Sequence, residues 1–210
     1  MARVSGPYTL AAMLAQNVEA TADSGSAAQS EIFEAAIALA ADAIASIARA
    51  LVEAGANAIL IHEQLPAPTQ FAAASGTFED WLSPFTQTLN IVRFYEALPI
   101  LILPPLDPST TATATTTSQR ATNDWIVCPS ISLTETESLD PLTDLRGTAF
   151  GIAIPPDIFE SSDDAQNHTV VSAVRRIVSD FRPAIITTSG EISPSTDIKQ
   201  LNAIGDIARA

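Results

Sequence analysis

Val4-Ser5-Gly6-Pro7-Tyr8-Thr9-Leu10 and, about fifty residues on, Val52-Glu53-Ala54-Gly55-Ala56-Asn57-Ala58-Ile59-Leu60-Ile61-His62-Glu63 decide how this chain reads. Each stretch reads as a strand running into a loop. The second strand is fed by an Ala-rich amphipathic helix that stops at Ala54-Gly55. A helix, a Gly stop, an apolar strand and a polar pair at the strand's carboxyl end make the repeating unit of a parallel α/β barrel. In that fold the chemistry sits at the strand ends.

Working outward, six apolar runs read as strands: Ala2–Ser5, Ala58–His62, Ile100–Leu103, Trp125–Cys128, Ala149–Ile154 and Ala184–Thr187. They are unbroken rather than alternating, as strands covered on both faces of a parallel sheet are. Helical rhythm lies between most of them. Ile37, Ile44, Ile47 and Leu51 mark a helix over 32–52, with Gly55 as its stop. Trp81, Phe85, Leu89 and Val92 mark one over 78–97. Val170, Val174, Ile177 and Phe181 mark one over 167–181, and Ile198, Leu201, Ile204 and Ile207 one over 197–208. Strands alternating with such helices are βα units.

Two stretches interrupt the pattern. Residues 108–123 are dominated by Thr, a mediocre helix former, and read as a loop between the third and fourth strands. Residues 23–30 read as a polar break before the long helix. Strands of one kind flank the Thr-rich loop, so 1–210 is taken as a single, partial barrel domain. The expected fold class is α/β, a parallel (β/α)8 TIM-barrel type lacking its first one or two βα units.

Composition narrows the function. Apolar residues make up 47% of the 210 residues and charged residues 16%, the profile of a globular chain. The longest apolar run, 97–106, is interrupted by Pro99, Pro104 and Pro105, so no membrane span is expected. No export signal is visible, and a cytoplasmic location is expected. Twenty-four acids face ten bases for a net charge of −14, and Lys199 is the sole lysine. That charge argues against nucleic acid and against anionic membranes as partners. Scarce Lys with abundant Asp, Ala and Thr points to a protein adapted to high salt, with an ordinary acidic bacterial protein as the alternative. Cys128 stands alone, so no disulfide framework and no cysteine-cluster metal site is encoded. The glycosylation-type triplet Asn167-His168-Thr169 is read as chance in a chain without an export signal.

Gly6-Pro7-Tyr8-Thr9-Leu10, the long helix, and Glu53-Ala54-Gly55-Ala56 before a strand ending in His62-Glu63 resemble the superfamily of uroporphyrinogen decarboxylase and cobalamin-independent methionine synthase. Its members are (β/α)8 barrels. Ile186-Thr187-Thr188-Ser189-Gly190-Glu191 looks like the last unit of a methionine synthase-type barrel, and 147–156 like the preceding strand. The resemblance runs over most of the chain and is weak over 104–140. Methionine synthase-like chains have an Asp-Glu-Pro type sequence where His62-Glu63-Gln64 stands here. Their catalytic zinc is held by a His-x-Cys pair and a later Cys, and no His stands two residues before Cys128, so the resemblance implies no zinc-thiolate site. It implies instead the non-zinc type of barrel, taking part in methyl transfer in methionine biosynthesis, with a reduced folate or another methyl donor as ligand. A second barrel chain or a homo-oligomer is the implied assembly. A catalytically silent binding or assembly barrel is the alternative. A uroporphyrinogen decarboxylase-like activity is a further one, against which stands the missing N-terminal Arg cluster.

The candidate site follows the strand ends. His62 and Glu63 are read as a general acid/base or substrate-bonding pair. Neighbours on a strand face opposite ways, so one of them is expected to face the pocket, and Glu63 is preferred because it matches the Glu of the resembling family. The competing reading is a polar rim that bonds neighbouring strand ends and helix N-termini. Gly6, Tyr8 and Thr9 in the first strand-end loop, and Ser189 and Glu191 in the last, are the candidate substrate-binding residues. Tyr8 reads more readily as a packed aromatic with a bonded hydroxyl, and Cys128 as a buried, inert thiol. His168 and the pair Asp163-Asp164 read as the exposed opening and N-terminal charges of a helix.

Overall fold

A computed structural model of the chain describes residues 1–19, 26–64, 81–105, 125–130, 149–156, 159, 164–194, 196 and 198–209. The Thr-rich stretch 108–123, Asp163 and the side chains of Asp164 and His168 lie outside the described residues. Two compact units are present, Met1–Leu101 and Ile102–Ala210.

In the first unit, β1 (Ala2–Ser5) leads into α1 (Pro7–Glu19), then α2 (Ser26–Glu53), β2 (Ala58–His62), a 3-10 turn (Ser83–Phe85), α3 (Thr86–Phe94) and β3 (Leu98–Pro105). The division between units falls inside β3. β1 pairs in parallel with β2, Val4 opposite Ile61 and Ser5 opposite His62. β2 neighbours β3 in turn. The four- and five-residue runs expected for the first two strands coincide with β1 and β2, because Gly6 closes the first run and the Gly55 stop precedes the second.

The helices depart from expectation in three places. Tyr8 and Thr9, read as part of the first strand-end loop, lie in the first turn of α1 (Pro7–Glu19), a helix not expected from the sequence. Pro7 presets the backbone for the first helical position, and Leu10 to Gln16 are good helix formers. Ser26–Ser30, read as part of a polar break, are already helical. The helix expected over 78–97 breaks at Ser83–Phe85, where Pro84 has no N–H to donate, and ends at Phe94.

α2 is the spine of this unit. It packs on α1, α3, β1 and β2. Ala36 and Ala40 bring it close to Ala11 of α1, with Leu10, Leu14, Phe33 and Ile37 around the contact. Ala and Ile give an 18-residue window within 31–53 a mean hydropathy of 1.8, long and apolar enough by length and composition alone to cross a membrane, and a third of that window is buried. α2 ends in a Schellman motif: Gly55 N–H bonds Val52 O at 2.9 Å and Ala56 N–H bonds Leu51 O at 3.0 Å, with Gly55 at φ 94°. α3 ends in the same way, Glu96 N–H to Arg93 O at 2.9 Å and Ala97 N–H to Val92 O at 3.0 Å. There the left-handed position is held by Glu96 at φ 57°.

The second unit holds β4 (Ile126–Ser130), β5 (Gly151–Ile154), α4 (Asp164–Phe181), β6 (Ile185–Thr188) and α5 (Ile198–Arg209). β4, β5 and β6 are neighbours in that order, and the pairing is parallel, Gly151 opposite Ile185 and Ile154 opposite Thr188. Ile152 and Ile154 of β5, Val170, Val174 and Ile177 of α4, and Ile204 and Ile207 of α5 form its core. Parallel strands with helices packed between them make each unit α/β.

Candidate functional site

The segments around Gly6-Pro7-Tyr8 and His62-Glu63 meet at the carboxyl ends of β1 and β2. Register brings Ser5 beside His62, and the chain leaves β1 with Gly6 N–H donating to His62 O at 2.7 Å. Gly6 O accepts from Leu10 N–H at 3.0 Å, which makes Gly6 the N-cap of α1. A glycine brings no side chain to cap with, and the first N–H groups of a helix need acceptors. Glu63 supplies them from the neighbouring strand.

The Glu63 side chain is fully buried. Its Oε2 accepts from Tyr8 N–H at 3.1 Å. Its Oε1 accepts from Thr9 Oγ1–H and from Gln64 N–H, the latter at 3.1 Å. Thr9 Oγ1 accepts from Gln64 N–H at 2.8 Å and closes the ring. These partners all donate, and the positive end of the helix dipole favours a carboxylate there. Gly6 is required by space as much as by cap geometry. A Cβ there would lie 2.8 Å from Glu63 Cδ and 3.1 Å from its Cα.

Tyr8 fixes the far side of this junction. Its hydroxyl donates to Trp81 O at 2.9 Å, and its ring stacks on the Trp81 indole with centroids 5.5 Å apart and planes 3° from parallel. Phe85 tilts against both rings. Tyr8 is therefore a packed aromatic with a bonded hydroxyl.

His62 points the other way. Alternation along β2 places it with Leu60, opposite Arg3 and Ser5 of β1, while Glu63 turns to α1. Arg3 Nη2 lies against His62 Nδ1. A guanidinium only donates, so Nδ1 is the nitrogen placed to accept from it. Arg3 is exposed and His62 is 3% exposed, so this pair borders solvent through the arginine. Sequence reasoning passed over Arg3. The signal available was its place two residues before the carboxyl end of a strand, with a side chain on the face that His62 shares.

Ser189 and Glu191 belong to the second unit. Ser189 is half-buried, and its N–H donates to Ile154 O at 3.0 Å, which prolongs the β5–β6 pairing. Glu191 is exposed. Between them Gly190 lies so close to Pro156 that a Cβ would fall 2.8 Å from its Cγ. Thr188 Oγ1 donates to Gly190 O at 2.9 Å, which pins the turn. Ser130, at the carboxyl end of β4, was also missed. Its hydroxyl is buried and, among the described residues, has no hydrogen-bond partner. Cys128, two residues before it, lies beneath Gly151, and burial pushes its thiol up to about 12.

Among the described residues no three His, Cys, Asp or Glu side chains gather as a metal site. No protein-family model matches this sequence, and no curated protein matches it either.

Proposed function

We propose that this chain is a methionine synthase-like barrel protein of the non-zinc type, acting in methyl transfer, with its ligand-binding end at the carboxyl ends of β1 and β2. The reading extends the observed α/β units to a (β/α)8-type barrel. The observation that supports it most is the direct junction of the two resembling motifs, Gly6 N–H on His62 O and Tyr8 N–H on Glu63 Oε2. Strand ends are where barrels carry chemistry. In this reading Glu63 holds the β1–α1 turn in place. His62, beside Arg3, lies on the opposite face, and Arg3 offers a cation for a carboxylate-bearing ligand.

Titration calorimetry with a methyl-bearing reduced folate tests this. Saturable binding is expected, weakened about tenfold or more by His62→Ala and by Arg3→Gln in protein whose circular dichroism is unchanged. A silent binding barrel is the second reading. It draws on one observation, that both Glu63 oxygens are occupied in capping α1. Absence of folate binding, or binding indifferent to both substitutions, would decide for it.

A further inference from the structure

The first unit carries a concave feature lined by none of the residues at the ends of β1 and β2. It is a groove of about 620 Å³ between α2 and the 83–95 segment. One wall is a single helical face, Ser83, Thr86, Gln87 and Asn90, recurring at three-to-four spacing. Arg49 of α2 stands on the other wall. Phe94 and Tyr95 border one end, packed edge to face with centroids 5.2 Å apart, and Phe94 is 81% exposed.

The charge of this groove runs against its surroundings. By count, residues 1–101 hold ten acids and three arginines, yet among the described residues the groove is lined by no acid, and Glu53 reaches only the hydroxyl of Tyr95 at its rim. Glu53, one helical turn beyond Arg49, is its natural ion-pair partner. Glu53 instead accepts from the Tyr95 hydroxyl at 2.6 Å, a bond that also raises the phenol above its usual range. Among the described residues no hydrogen bond or ion pair engages Arg49. An uncommitted guanidinium, a row of neutral donors and acceptors and an exposed aromatic ring therefore share one cleft. The volume falls within the range of small-molecule sites.

We propose that this groove binds a small molecule bearing one carboxylate beside an aromatic or other apolar group. The carboxylate takes the fork of Arg49, the ring packs on Phe94, and polar substituents bond Gln87 and Asn90. One cation among so many acids balances a monoanion. A phosphate dianion would be left half-compensated.

Phenylacetate is the probe, titrated into the full-length ¹⁵N-labelled chain and followed by amide chemical shifts. Shifts are expected within 83–95 and around Arg49. Phenylacetamide, its neutral isostere, should bind about tenfold more weakly or worse, as should phenylacetate to Arg49→Gln. Phe94→Ala should weaken binding about threefold or more. Both replaced side chains are exposed, so the fold is retained, and unchanged amide spectra elsewhere will show it. Equal binding of acid and amide, indifference to Arg49→Gln, shifts confined to other surfaces, or no binding at all would overturn the proposal. Tighter binding of phenyl phosphate than of phenylacetate would overturn the carboxylate assignment. The folate experiment at the strand ends is independent of every one of these outcomes.

Discussion

Glu63 shows how one side chain can serve as another residue's cap. A helix opening Gly-Pro lacks a capping side chain, and the preceding strand offers none. The carboxylate that meets Tyr8 N–H and Thr9 Oγ1 comes from a strand more than fifty residues away in sequence. Glu63→Gln keeps the size but replaces one acceptor with a donor that faces donors. It should lower unfolding free energy in urea by about 1–3 kcal/mol. Gly6→Ala should cost a similar ~1–3 kcal/mol, because the new methyl presses on Glu63 itself. The two losses should be less than additive, since either change disturbs the same junction. Additive losses would show that Glu63 and Gly6 act separately. None of this was legible from sequence, where Gly-Pro looks like a turn and Glu63 looks like a strand-end acid. Cys128 was legible, because an apolar strand surrounds it. With its thiol held up to about 12, it should resist iodoacetamide at pH 8 in the folded chain and react at once in urea. The sign of its linkage follows. The unfolded thiol ionises near pH 9 and the folded one near 12, so its stabilising effect is complete below pH 9. That effect is lost as pH rises through the interval.

Among the elements, α2 and α3 end in the same motif with different residues, which makes an internal comparison. Gly55 at φ 94° has open space where a Cβ would stand, so Gly55→Ala tests backbone strain alone. It should destabilise by about 1 kcal/mol. Glu96 at φ 57° occupies the equivalent place in α3, and Glu96→Gly should stabilise by up to ~1 kcal/mol. Urea melts of both variants check the pair, and the signs must be opposite. If Glu96→Gly destabilised the protein, contacts of the Glu96 side chain would outweigh the strain. The same contrast explains what could be read in advance. Gly55 announced the end of α2, whereas nothing at Glu96 announces the end of α3, so the helix was expected to run on to 97. The positions of the strands were legible because most are apolar runs whose neighbours are helical or Gly- and Pro-rich. β1, with Arg3 and Ser5 exposed, is the exception and is marked by the Gly6-Pro7 that follows it. α1 was missed because Gly6-Pro7, read as a turn, is equally the N-cap and first residue of a helix. The candidate site was legible as a place, the strand ends, and as two motifs. Which face each side chain took was not, because Glu63 is claimed by a helix that sequence reading had not placed.

At the scale of the whole molecule the governing quantity is charge. Ten bases can pair at most ten of twenty-four acids, so fourteen negative charges stay uncompensated near neutral pH. The exposed pairs Arg176–Asp180, at 3.7 Å, and Arg209–Asp206, at 2.9 Å, lie one turn apart on single helices and add little. Unfolding lets the excess charges move apart, so repulsion favours the unfolded chain at low salt. The Debye length falls from roughly 10 Å at 0.1 M salt to roughly 3 Å at 1 M, shorter than the spacing of most surface carboxylates. The thermal midpoint should therefore rise steeply between about 0.05 and 1 M NaCl, by several degrees, since about 1 kcal/mol moves a chain of this size by ~2–4 °C. Screening and solute exclusion predict different curves. Screening saturates once the Debye length is short, whereas exclusion from the protein surface continues to raise the midpoint in proportion to salt. A rise that levels off near 1 M, and that shrinks at pH 4 where many carboxylates are protonated, identifies repulsion as the term that salt relieves. A flat or falling midpoint would show that these acids are placed far enough apart to cost nothing, and the expectation of adaptation to high salt would fall with it.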